Sequence, residues 1–237
     1  MKIRIDKMLS NIGLGSRSQI KTDAKTGCIK VNGTIEKNPS KIIDTDKDEI
    51  KYKNEVVKYI QYIYLMMNKP AGVVSATEDN YDKTVVDLLE EKDKFYAPFP
   101  VGRLDKDTEG LLILTNDGIL NHDLLSPKKH VDKTYYAEID GEVTESDAKL
   151  FEQGILLTNE NYTTLPAALK IIESGQKSKC YVTIREGKFH QVKRMFIAVG
   201  KEVTYLKRIS MGSLGLDEKL ELGSYRHLTE EELKMLN

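Results

Sequence analysis

The chain has no tryptophan, five phenylalanines, six prolines and two cysteines in 237 residues. Cys28 and Cys180 are too few for the disulfide framework that holds small secreted domains together, so both are expected to be buried thiols. Histidine is almost as scarce: positions 122, 130, 190 and 227 are scattered, without the spacing of metal ligands, and neither metal nor cofactor is expected. Long apolar runs are missing too. Nothing approaches the roughly 20 residues that cross a bilayer, and the opening MKIRIDKML lacks the apolar core of a secretory signal. A soluble cytoplasmic protein, most simply a monomer, is expected. There is no internal repeat and no low-complexity segment.

Net charge is also missing, at -1, which excludes a uniformly basic nucleic-acid binder. The average conceals segregation. Residues 1–41 carry nine Lys or Arg against three Asp or Glu, a local +6, and residues 177–208 carry nine against two, a local +7. Two basic islands in an otherwise acidic chain suit a polyanion held at particular places.

The length suits one large or two unequal domains. Residues 2–60 read as a small α plus β module. Ile3, Ile5, Met8, Leu9 and Ile12 suggest a short amphipathic helix closing at residues 13–15, and Ser16 with Gln19 is the opening of a second helix that ends at Gly27. Asn32-Gly33 between two apolar pairs signals a hairpin, and residues 42–43 and 49–52 supply two more short strands. The polar stretch 53–61 is taken as linker, which places one domain at residues 1–58 and a second at 62–237.

In the second domain, residues 64–67 form a buried strand leading to Asn68-Lys69-Pro70, residues 84–90 a helix, and residues 117–125 a helix with Ile119, Leu120 and Leu124 on one side. Residues 133–139 alternate as a strand, with Lys133, Tyr135 and Ala137 on one face and Thr134, Tyr136 and Glu138 on the other. Thr144 with Asp147 caps a helix that runs to Gly154. Residues 180–185 form a strand, residues 186–189 a turn, and Val192, Met195, Phe196 and Val199 the buried stripe of a helix stopped at Gly200. Lys188, Lys193 and Arg194 surround that helix's first turn, where unpaired backbone N–H groups already favour an anion. Thr229 with Glu232 caps a last helix whose Leu228, Leu233 and Leu236 pack inward.

The stretch 100–118, PVGRLDKDTEGLLILTNDG, sets an apolar strand between two turns. Arg103 and Asp105, two positions apart, share a face if extended, and Gly110 permits close approach of a ligand to the backbone. An Asp in such a loop is commonly a turn former.

Residues 102–118 closely resemble the central motif of pseudouridine synthases, in the branch shared by ribosomal small-subunit and large-subunit enzymes. The pattern of residues 68–75 and EGKFHQVKRM from residue 186 resemble further motifs of that family, and residues 206–212 its last one. The order helix, Ser-Arg, helix, Gly, strand, Val-Asn-Gly, strand at the N-terminus resembles the small S4-like RNA-binding module; Asp23 and Ala24 stand where that family places larger apolar residues, so either a loosely packed second helix or a shifted register is expected. The resemblance implies an α+β fold: the small RNA-binding module, then a larger mixed, mainly antiparallel sheet with flanking helices.

By the same resemblance Asp105 is the catalytic acid, Lys193 its cationic partner, and Tyr135 the ring against the target uracil, with Tyr136 in the core. Many relatives carry Arg at the position of Lys193; a point charge here replaces a fork, and Arg194 is the alternative partner if the helix is turned. His190 is not assigned as a base. Arg103, Lys133, Lys188, Arg194 and Arg208 would contact the RNA at the site, and Arg17, Lys21 and Lys25, with Lys30, would hold it from the N-terminal module. The implied partner is ribosomal RNA or a pre-ribosomal particle, and the favoured target is small-subunit rRNA. Three alternatives stand beside this reading. One is a large-subunit enzyme. Another is a non-catalytic assembly factor. The third is a hydrolase pairing Asp105 with Asp107, a poor arrangement because neighbours on one loop cannot flank a scissile bond.

Overall fold

In the first sixty residues short apolar segments are broken by Gly and Asn, and each break becomes a turn. The computed structural model describes residues 1–126, 129–157 and 161–236. It divides into two units, Met1–Ile63 with Glu90–Pro98, and Tyr64–Leu89 with Phe99–Asn237.

The first unit opens with strand β1 (Lys2–Arg4) and helix α1 (Ile5–Asn11), so the apolar run expected as one helix begins as a strand. Helix α2 (Arg17–Lys25) starts at Ser16, whose side chain accepts from the Gln19 N–H. Strands β2 (Ile29–Val31) and β3 (Thr34–Ile35) close over Asn32 and Gly33, both at positive φ as the tight hairpin requires. Strands β4 (Ile42–Asp44), β5 (Ile50–Tyr52) and β6 (Glu55–Val57) follow. β4 pairs with β1, and the rest form a sheet in the order β3-β2-β5-β6. Helix α3 (Glu91–Lys94) belongs to this unit, so the unit is not one continuous segment.

Two expectations are corrected here. Part of the presumed linker is strand: Lys53 and Asn54, both at positive φ, turn β5 back into β6. Nor is α2 loose. Ile20 and Ala24 are fully buried against Ile5, Leu9 and Ile29. The Asp23 carboxylate is buried too, accepting from the Tyr52 hydroxyl and from Gln19 Nε2 at 2.8 Å. A buried acid with two donors anchors the helix where an apolar residue would have packed it.

The second unit comprises β7 (Tyr64–Lys69), β8 (Phe99–Pro100), β9 (Glu109–Thr115), α4 (Gly118–Leu125), β10 (Lys133–Asp140), α5 (Glu145–Gln153), β11 (Leu156–Leu157), β12 (Tyr162–Thr163), β13 (Ala168–Glu173), β14 (Lys177–Ile184), α6 (Gln191–Ala198), β15 (Glu202–Met211), β16 (Leu214–Gly215), β17 (Tyr225–His227) and α7 (Glu230–Lys234). The main sheet runs β13-β14-β10-β15-β9-β7-β17, with β16 on β15 and β8 on β9. Pairing is antiparallel except between β15 and β9. That parallel join puts Gly110 opposite Arg208, and a Cβ at Gly110 would lie 2.2 Å from the Arg208 carbonyl oxygen. Gly110 therefore serves a backbone neighbour instead of a ligand.

The helix expected at residues 84–90 is a single 3-10 turn, Val86–Leu88. Asp87 Oδ2 accepts from both the N–H and the hydroxyl of Thr84, which satisfies the turn locally and leaves nothing to propagate. In α4, capped by Asp117, Leu120 and Leu124 face the core beside Leu111, Ile113 and Met211, but Ile119 is exposed. α7 carries its capping box, and Leu236 is buried with Leu228 and Leu233 packed beside it.

Candidate active site

The loop 101–108 between β8 and β9 is held from three directions. Ser75 Oγ donates to the Leu104 carbonyl at 2.9 Å and accepts the Leu104 N–H at 3.1 Å. The Gly72 N–H donates to the Lys106 carbonyl at 2.8 Å. Beneath the loop lies Lys69, fully buried, whose ammonium donates to the carbonyls of Pro70 (2.9 Å), Asp105 (3.1 Å), Lys106 (3.3 Å) and Thr108 (2.8 Å). Burial pushes its pKa down to about 8. Sequence reasoning used this lysine as part of a motif and missed its task. The available signal was a cation at the end of an apolar strand that the fold has to bury.

So held, the loop projects Arg103 and Asp105 into an open pocket lined also by Tyr135, Lys188, His190 and Lys193. Asp105 Oδ2 is 3.2 Å from Lys193 Nζ, across 88 residues of sequence, and its side chain is 25% exposed. Lys193 also reaches Asp107 Oδ1 at 2.5 Å. Burial opposes the ammonium, but its hydrogen bonds to Asp107 and Asp105 prevail and raise its pKa. Asp107, judged useless as a hydrolytic partner, thus shares the cation.

Helix α6 delivers Lys193 one turn in from His190, whose backbone is left-handed (φ 48°). That turn is fixed by Glu186, which accepts from Tyr162 Oη (2.5 Å), the Leu165 N–H (2.9 Å) and Gln191 Nε2 (2.8 Å). Lys188 lies over the Tyr162 ring, its ammonium 4.6 Å from the centroid. Arg194 does not turn toward Asp105: its guanidinium donates to the Phe189 carbonyl at 3.2 Å. His190, set aside from the sequence, brings Nε2 within 3.6 Å of Asp105 Oδ1.

Tyr135 stands on the pocket-facing side of β10, 7% exposed. Tyr136 points the other way and is half-buried, edge-on to Tyr181 and Tyr205, so it joins an aromatic cluster on the opposite sheet face instead of a closed core. Two cations expected at the RNA are buried. Lys133, 8% exposed, donates to the Val131 carbonyl, and burial together with Arg208 lowers its pKa. Arg208, 2% exposed, donates through Nε to the Leu111 carbonyl at 2.8 Å, and its Nη2 has no partner among the described residues. Both positions fall on the inward face of a sheet strand, a constraint that motif position alone does not reveal.

Arg17, Lys21 and Lys25 are exposed along one side of α2, beside the stripe of its buried Ile20, Asp23 and Ala24. Lys30 is engaged by Asn54 Oδ1 at 3.1 Å.

Comparison with known proteins gives the family. Residues 63–198 match the family model described as RNA pseudouridylate synthase, and residues 3–50 match the S4 domain. An uncharacterized RNA pseudouridine synthase of Bacillus subtilis is 50% identical over 99% of this chain and 98% of its own. The ribosomal small subunit pseudouridine synthase A of Haemophilus influenzae is 39% identical over 99% of both chains. A solved crystal structure of a pseudouridylate synthase superposes with a TM-score of 0.70 at 37% identity, covering 99% of this chain and 100% of that one.

Proposed function

The chain belongs to the RNA pseudouridylate synthases and carries an S4 domain ahead of the catalytic part, and from that premise we propose that it converts one uridine of ribosomal RNA, in the small subunit, to pseudouridine with Asp105 as the catalytic group. The observation that carries this reading is the Asp105 carboxylate beside the Lys193 ammonium in the pocket that Tyr135 lines. The reaction breaks the bond from ribose C1′ to uracil N1, turns the base while it is held, and joins C5 to C1′. The C5 proton leaves and N1 is protonated, so no electrons are exchanged with a cofactor.

A carboxylate beside an ammonium can attack the ribose or stabilise the positive charge that develops on it. The uracil reaches it only after leaving its stack, at a cost of a few kcal/mol. Arg103, exposed at the pocket, fills the space the base vacates or holds a flanking phosphate. Tyr135 packs on the base, and in this reading its hydroxyl receives the C5 proton. Lys188 and Arg194 hold the RNA backbone at the rim, and Arg17, Lys21 and Lys25 hold it through the S4 domain, positioning the RNA without reading its sequence. The enzyme acts in the cytoplasm, where ribosomal RNA is assembled.

The test is tritium release from small-subunit rRNA labelled at uracil C5, comparing the native chain with Asp105→Asn. Release by the native chain and none by the variant is expected. Equal release by both removes Asp105 from its role, and release by neither removes this RNA as substrate. An assay on large-subunit rRNA decides between the two ribosomal targets.

A further inference from the structure

Most large apolar side chains exposed on this protein are aliphatic or lie away from the pocket, but Phe189 is 73% exposed at its rim. One face of its ring lies on the His190 imidazole, with centroids 3.8 Å apart and planes 19° from parallel. That imidazole lines the pocket and reaches within 3.6 Å of Asp105 Oδ1. The phenyl ring is therefore the outer layer of a two-ring stack whose inner layer touches the catalytic acid. Its other face has no ring contact among the described residues.

The stack is built into the fold. His190 takes a left-handed backbone, φ 48° and ψ 34°, a conformation that is unfavourable for a non-glycine residue. The Phe189 carbonyl is tied to Arg194 Nη1 at 3.2 Å, and the next turn residue, Lys188, is exposed. A flat apolar face flanked by two cations, one nucleotide beyond a pocket for a single base, has the chemistry of single-stranded nucleic acid: the face takes a base and the cations take the phosphates on either side.

We propose that Phe189 is a base-stacking platform for the nucleotide adjacent to the everted uridine, backed by His190 and flanked by Lys188 and Arg194. This rests on the reading of the pocket as the site of an RNA isomerase and adds a second subsite to it. Because every base has a π face, the platform is tolerant of sequence and strengthens binding without entering the chemistry.

The test compares the full chain with Phe189→Ala, Phe189→Leu and Phe189→Tyr, using single-stranded oligouridine octamers that carry one 2-aminopurine. Stacking predicts quenching by the native chain, affinity lower by roughly 5- to 150-fold with lost quenching for Ala and Leu, and recovery to within about twofold for Tyr. Native-like binding by Ala, or by Leu, overturns the proposal. So does a change in sedimentation on removing the ring, which would make the exposed face a contact between copies of the chain. Tritium release run in parallel separates the two readings. Quenching with no release by the native chain sinks the isomerase reading and leaves the platform standing. Equal kcat/KM for the native chain and Phe189→Ala sinks the platform and leaves the isomerase.

Discussion

Lys69 shows how one residue can shape a site it never enters. Its ammonium organises four carbonyls at residues 70 and 105–108, and an isosteric apolar replacement would remove that donor from all four, leaving the Lys106 carbonyl only the Gly72 N–H and the Asp105 carbonyl only the Thr108 N–H. Lys69→Met is expected to destabilise the fold by about 2–4 kcal/mol in urea titration, each orphaned buried acceptor costing roughly 1–3 kcal/mol before relaxation. The pH dependence has a definite sign. Burial lowers the folded-state pKa of Lys69 to about 8, against an ordinary value of 10.5. Between those values the unfolded chain binds the proton that the folded chain has released, so stability rises with pH. The free-energy difference between the native chain and Lys69→Met should therefore grow in favour of the native chain from pH 8 to pH 10, and a flat difference would refute the argument. At Lys193 the arrangement of two carboxylates gives a different expectation. Lys193→Met leaves Asp105 and Asp107 facing each other's charge and should cost about 100- to 1,000-fold in single-turnover rate, whereas Lys193→Arg, whose fork can serve both, should stay within about tenfold. The positions of Asp105, Tyr135 and Lys193, which meet at one pocket, could be picked out because motifs hold them in local sequence. Lys69, Asp107 and His190 were not, since their significance lies in what the fold sets beside them.

At the scale of elements, strands and caps could be read because period-two burial and capping pairs are local. The pattern of β10, alternating buried and half-buried from Lys133 to Ile139, follows its sequence directly. The failures share a cause. Residues 55–57 and 84–90 carry no apolar periodicity, and their structure is decided by a turn: the positive φ of Lys53 and Asn54 in one case, the Asp87 to Thr84 bonds in the other. Asp23 replaces apolar packing by hydrogen bonds, which composition scores as loose. The entry to α6 depends in the same way on Glu186, whose three donors join β12, the segment at Leu165 and the helix's first residue. Glu186→Ala should lower stability by about 1–3 kcal/mol and raise KM for the RNA several-fold, while Glu186→Gln, still an acceptor, should recover most of both. A KM unmoved by Glu186→Ala would show that the basic turn holds its shape without this hub.

For the whole molecule, the informative quantity was the distribution of charge, since the net value of -1 conceals the basic segment 1–41. What composition could not show is that residues 90–98 join the first unit, because that depends on contacts far apart in sequence. Deleting residues 1–58 would strip those nine residues of their packing, so substitution is the cleaner way to ask what the S4 domain contributes. Arg17, Lys21 and Lys25 are exposed, so replacing all three with Gln should leave the fold intact. If each neutralises one phosphate, the slope of log K against log salt should fall by about 2–3, at roughly 0.7 to 0.9 per phosphate contact. If these cations position the RNA and take no part in the chemistry, as proposed, the single-turnover rate at saturating rRNA should stay within about twofold. An unchanged slope would mean that the basic face of α2 does not meet the backbone. A slope that falls together with the saturated rate would mean instead that RNA held by this domain also sets the uridine's approach to Asp105.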